Sequence, residues 1–160
     1  MEKELQEDIM NRFPEMFKHK ENLMTSLMGF GIETNDGWCE LIYNLCEEIE
    51  EYFLSQEENV IPEWFYITQI KEKFGSLRFY VSSAPMEIYD LINKAEEESF
   101  TICEVCGRQG QYRDDLSWIL TLCDSCLDKH IEKRYGRTRK PDEDYISDWQ
   151  KEQGAPFING

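Results

Sequence analysis

Two C-x-x-C pairs, Cys103-Glu-Val-Cys106 and Cys123-Asp-Ser-Cys126, are separated by sixteen residues, and they limit what this chain can become more than anything else in it. In each pair the chain turns back, so that both sulfurs reach one ion at about 2.3 Å. Two such pairs at this separation predict a tetrahedral Zn2+ site of four thiolates, Cys103, Cys106, Cys123 and Cys126. Gly107 and Gly110 suit a knuckle and a tight loop after the first pair. Trp118, Leu120 and Leu122 then alternate as a short strand, and Leu127, Ile131 and Tyr135 follow the second pair at helical spacing. Knuckle, hairpin, then helix is the order of a treble-clef zinc finger, expected over 101–137. Four thiolates fill the usual shell of zinc and leave no position for an activated water, so the expected site is structural. His130, one helical turn beyond Cys126, is the alternative ligand.

The six cysteines favour metal over disulfides only if the chain works in a reducing compartment. No run approaches the ~18 apolar residues that cross a bilayer. The opening MEKELQEDIM is charged where a signal peptide is apolar, so the cytoplasm is expected and no membrane partner. At 160 residues with 41% hydrophobic and 13% aromatic content, a folded domain with or without a small satellite is expected. Seventeen bases against thirty-three acids give a net charge of −16, which disfavours sequence-independent nucleic-acid binding. Sixteen of the acids but only four of the bases fall in residues 1–70.

Hydrophobic periodicity fills in an acidic domain over 1–100. Leu5, Ile9, Met10, Phe13 and Phe17 suit a short helix interrupted near Pro14. Leu23, Met24, Leu27 and Met28 suggest a second one, ended by Gly29 and Gly31. Asp36 is placed as N-cap of the best helix, whose stripe runs through Trp38, Leu41, Ile42, Leu45, Ile49, Tyr52 and Phe53. Glu40, Glu47, Glu48, Glu50 and Glu51 read as its solvated face. After Pro62 the period changes to two, predicting strands over Trp64–Ile70 and Leu77–Val81 joined at Phe74-Gly75. Ile88, Leu91, Ile92 and Ala95 mark another helix, whose end carries Glu96-Glu-Glu98 against the macrodipole. The expected class is α+β: helices packed on an antiparallel hairpin within 64–81, then the zinc module, then a tail over 138–160 whose Tyr145, Trp149 and Phe157 can dock on the body.

Catalytic constellations are not visible. The second pair with His130 is similar to zinc-binding HNH nucleases, yet residues 107–122 contain none of the histidine their catalysis needs. His19-Lys-Glu21 matches the H-x-E of zinc deaminases but lies far from a C-x-x-C that lacks the preceding proline. Cys39 and Cys46 are roughly 10 Å apart along one helix, too far for a disulfide, and read as buried cysteines. Two surfaces remain as contact candidates. Lys71, Lys73 and Arg78, with Phe74 and Tyr80 between them, and the basic stretch containing Lys133, Arg134 and Arg137 interleave bases with aromatics. The acidic half can imitate a phosphate backbone or steer a basic partner.

Gln69-Ile-Lys-Glu-Lys-Phe-Gly-Ser-Leu-Arg-Phe-Tyr80, Ala95-Glu-Glu with Ser99, Ile102-Cys-Glu-Val-Cys-Gly107, and Trp118 before Thr121-Leu-Cys-Asp-Ser-Cys126 carry a resemblance, as does Asp36-Gly-Trp38. Over roughly 36–128 the chain resembles a family of small uncharacterised proteins encoded in phages and prophages. The resemblance implies a bacterial host cell and brings no activity with it. Some members end in Cys-x-x-His where this chain has Cys126. The expected function is a non-enzymatic, zinc-stabilised protein that binds and inhibits a host protein of nucleic-acid handling or antiviral defence. The alternative is a nucleic-acid-binding regulator using the hairpin bases and the segment 129–140.

Overall fold

Helix α2, Cys39–Leu54, is the member against which the other elements of the larger core pack. In the computed structural model, which describes residues 1–114 and 116–139, Leu41, Ile42, Leu45, Cys46, Ile49 and Phe53 recur at three- and four-residue steps along α2 and are buried. Helix α1, Lys3–Arg12, ends just before Pro14, whose ring and missing N–H bar another helical turn. Ile9, Phe13, Met16 and Phe17 enter the core beside α2, and the Arg12 fork meets Glu50 at 2.9 and 3.2 Å. Most of the tail expected over 138–160, with Tyr145, Trp149 and Phe157, lies outside the described residues.

Strands β1, Ile67–Lys73, and β2, Ser76–Val81, form the expected antiparallel hairpin. Phe74 and Gly75 are its two turn residues, both at positive φ (+52° and +76°), as hairpin turns of the primed type require. β1 begins at Ile67 rather than Trp64, because the Phe65 N–H turns back to Pro62 O (3.0 Å) and Trp64 is left half-exposed. Two further expectations are corrected. Asp36 opens a 3-10 turn, Asp36–Trp38, and its carboxylate accepts from Glu2 N (2.7 Å) instead of capping α2. The cluster Leu23–Met28 forms turns, with a 3-10 turn over Met28–Phe30, and of its apolar side chains only Met28 is buried.

Helix α3, Met86–Ser99, runs through Glu96-Glu-Glu98 despite the unfavourable dipole, because Ile88, Ile92 and Ala95 are buried against the core. Its end has a second task. Ser99 Oγ accepts the N–H of Leu77 (2.9 Å), and Glu96 Oε1 accepts the N–H of Phe79 (3.1 Å), so α3 side chains satisfy the outward donors of β2. Burial raises the Glu96 carboxyl, opposed by the Phe79 N–H and by Arg78. Replacing Ser99 with Ala leaves a buried N–H without its acceptor, and the expected loss is about 1–3 kcal/mol, read from the shift of the urea midpoint.

A second, smaller core holds Cys103, Leu120, Leu122, Cys126, Leu127 and Ile131. Around it lie β3, Gln111–Arg113, paired antiparallel with β4, Leu120–Leu122, and α4, Asp124–Tyr135, closed by left-handed Gly136. The structure is therefore α+β, with four helices and two small antiparallel sheets among the described residues. Trp38 Nε1 donates to Ile102 O (2.9 Å), and Thr121 Oγ1 donates to Gly75 O (2.6 Å), bonds that help to fasten the two cores together. No described helix is long and apolar enough to cross a membrane.

Candidate metal centre

The segment after α3 turns tightly. Cys103 N donates to Arg108 O (2.7 Å) and Gly107 N to Cys103 O (2.9 Å), with Gly107 at a φ of +76°, and this knuckle sets the first two thiols side by side. Gly110 permits the return: a Cβ there would stand 2.7 Å from Cys103 N. The second pair comes from the start of α4, where Cys123 is the N-cap and its sulfur accepts from Cys126 N (3.4 Å). The four sulfurs converge, all within 4.8 Å of one another, and those of Cys106 and Cys123 are 3.6 Å apart. Metal–sulfur bonds of about 2.3 Å in a tetrahedron require edges of about 3.8 Å, so the donors fit a four-thiolate metal and are too far apart for a disulfide. Among the described residues the cluster consists of these four cysteines, without His130.

The electrostatics divide the thiols. Burial raises Cys103, and burial together with the neighbouring thiols raises Cys126. Burial also pushes Cys106 upward, but the Arg108 N–H and the adjoining thiols outweigh it and bring Cys106 down to about 7. A metal held here by Cys103, Cys106, Cys123 and Cys126 would take them as thiolates. Asp124, between the second pair, receives Arg113 Nη2 and Arg139 Nη1, each at 2.9 Å, and Arg113 lowers its carboxyl. Through that bond β3 anchors the first turn of α4.

Two residues that the sequence did not single out as functional build the socket for the knuckle. Gly37 N donates to Glu104 O (2.9 Å), and a Cβ at Gly37 would lie 2.1 Å from Cys103 O and 2.5 Å from Glu104 C. Glu104 is buried and lies in sequence between two of the clustered cysteines. Its carboxylate accepts from Thr121 N (3.2 Å) and Asn35 Nδ2 (3.4 Å), while burial pushes the carboxyl up to about 7. An acid in the middle of a C-x-x-C is the only sequence signal for it.

Away from the cysteines, Lys71, Arg78 and Tyr80 share the outward face of the hairpin, in the register Gln69 to Tyr80 and Lys71 to Arg78. Lys73 stands at its tip. Lys71 Nζ lies 5.9 Å from the Tyr80 ring centroid, Lys73 Nζ lies 5.6 Å from that of Phe74, and Arg78 is 3.7 Å from Glu96. Lys133 and Arg134 are in the last turn of α4 and Arg137 just beyond it. The Arg134 and Arg137 guanidinium carbons lie 5.9 and 5.2 Å from the Tyr135 ring centroid. His19 is stacked on Tyr66 (3.9 Å between centroids) and bonded to Thr25. Cys46 is fully buried with its thiol pushed far up by burial.

No protein-family model matches the chain, and no curated protein or solved structure matches it.

Proposed function

We propose that this chain is a non-catalytic binding protein stabilised by one Zn2+, held by Cys103, Cys106, Cys123 and Cys126 in a treble-clef module. The convergence of four thiols within 4.8 Å carries this reading. The order of knuckle, β3–β4 hairpin and ligand-bearing α4 supports the treble-clef assignment. Bound there, zinc would supply cross-linking rather than chemistry, since thiolates occupy all four positions. The residues do the rest: Gly107 and Gly110 allow the turn, and Cys126 N steadies the Cys123 sulfur. Native mass spectrometry of the purified protein is expected to find one zinc per chain. A metal-free folded protein with four alkylatable thiols in this module would overturn the assignment.

The partner proposed is a host protein in a bacterial cytoplasm, bound and inhibited by a phage-type protein. Its class is a component of nucleic-acid handling or antiviral defence. The support is the residue pattern shared with phage and prophage proteins together with the acidic surface. Between α1, the start of α2 and the knuckle lies a cleft of about 780 Å3, with Asp8, Asp36, Glu40 and Glu98 around apolar Leu5 and Ile9. Such a cleft suits a basic surface that ordinarily holds phosphates. The chain used as bait in host lysate at low salt should retain a basic nucleic-acid-handling protein and release it as salt rises. Retention of nothing at low salt would refute this part alone.

A further inference from the structure

The charge of −16 hides a differently built surface beside the β1–β2 turn. Phe74 is held at a φ of +52°, a region that favours Gly or Asn and strains a bulky side chain, and its ring is 62% exposed. The turn requires the positive φ, but not a phenylalanine displayed there. Across a groove of about 420 Å3, lined by Lys73, Phe74, Ser117, Trp118 and Ile119 together with Glu72, stands Trp118, itself 61% exposed. A third ring adjoins Trp118, and a fourth stands on the hairpin outside this groove. Tyr80 is 41% exposed on the hairpin face, and Tyr135, 42% exposed, places its hydroxyl 2.6 Å from Ser117 Oγ, beside Trp118. Three of the four rings carry a cation: Lys71 at Tyr80, Lys73 at Phe74, and Arg134 with Arg137 at Tyr135. Lys71 and Arg78 sit directly opposite each other across the strands, a like-charge pairing that destabilises a hairpin. Glu96 offsets Arg78, and Glu33, bridged to Lys71 at the β1 edge, is the neighbouring acid.

We infer that these exposed rings and the cations beside three of them are a binding surface for a single strand of nucleic acid, a partner class different from the host protein proposed above. Exposed flat rings stack on unpaired bases, and cations spaced between them meet the phosphates. A duplex hides its base faces and cannot use the rings. The remote acids do not forbid this, because charges beyond about 8 Å are largely screened at physiological ionic strength. The strand contacts both modules, since Tyr80 and Phe74 belong to the hairpin, whereas Trp118 and Tyr135 belong to the cysteine-bearing module.

The test is fluorescence anisotropy with labelled short oligo(dT) and oligo(U), using the full chain as purified. Binding is expected with a dissociation constant of about 10⁻⁶ to 10⁻⁴ M and a salt slope of about −2, matching two or three phosphates. Trp118→Ala is expected to weaken binding at least about fivefold. Phe74→Gly separates function from folding, because glycine relieves the strained φ: the protein should melt no lower than the parent while losing affinity by a similar factor. Glu33→Gln should tighten binding. Four results would overturn the inference: no binding at about 50 mM salt, unchanged affinity in Phe74→Gly, equal affinity for a duplex, or displacement of the strand by an acidic peptide bearing leucine and phenylalanine.

Discussion

Gly37→Ala is expected to destabilise the protein by about 3 kcal/mol or more and to lower its retention of zinc. The methyl group would meet the Cys103 carbonyl oxygen at 2.1 Å and the Glu104 carbonyl carbon at 2.5 Å, and backbone on both sides leaves little room to yield. Relief requires the knuckle to move away from α2, which lengthens the Gly37 N to Glu104 O bond and displaces two of the four ligands. Gly136→Ala is the comparison. There the methyl group meets nothing within 4 Å, and only the φ of +62° opposes it, so the expected loss is about 1 kcal/mol. Thermal melts and zinc stoichiometry on both variants distinguish the two causes. Equal losses, with full zinc in Gly37→Ala, would show that the knuckle does not depend on this contact.

Cys103→Ser should have the larger and more local consequence. Structural zinc contributes about 10–16 kcal/mol of apparent binding energy to the fold it holds. The core it would hold here is small: Cys103, Leu120, Leu122, Cys126, Leu127 and Ile131. That cluster is too small to stand alone without a staple. The larger core around α2 shares none of those residues, so its amides should stay protected in hydrogen exchange while those of 103–135 exchange rapidly. Trp38 reports the boundary, because its indole loses the Ile102 carbonyl. Uniform loss of protection through α2 and β1 would show that the two cores unfold together.

Much of this arrangement was legible because it rests on periodic side chains. The α2 stripe, the β1–β2 alternation and the cysteine spacing each impose one geometry, and the structure has them. What was not legible rests on backbone. Nothing in the side chain of Gly37 announces that it lies against Cys103 and Glu104, since its role is to have none. Asp36 has the chemistry of a cap, but the nearby Glu2 N–H competes for its carboxylate. Leu23, Met24 and Leu27 have helical spacing and remain outside the core, because the Leu27 N–H is bonded across to Thr68 O (2.7 Å), which fixes the segment against β1 instead of continuing a helix. The groove between Phe74 and Trp118 also escaped a linear reading, since the two rings are brought together only where the hairpin turn meets the cysteine-bearing module.

The way α3 covers β2 bears on how any partner can recognise this protein. The outward N–H groups of Leu77 and Phe79 end on Ser99 and Glu96, while on the far side of β1, Leu27 N reaches Thr68 O and Glu33 N reaches Ile70 O. Neither border of the sheet is left as a template on which another chain can add a strand. Recognition at this sheet therefore has to be read from side chains. A partner selected against it can escape by changing a few surface groups, which a main-chain ladder would not have allowed.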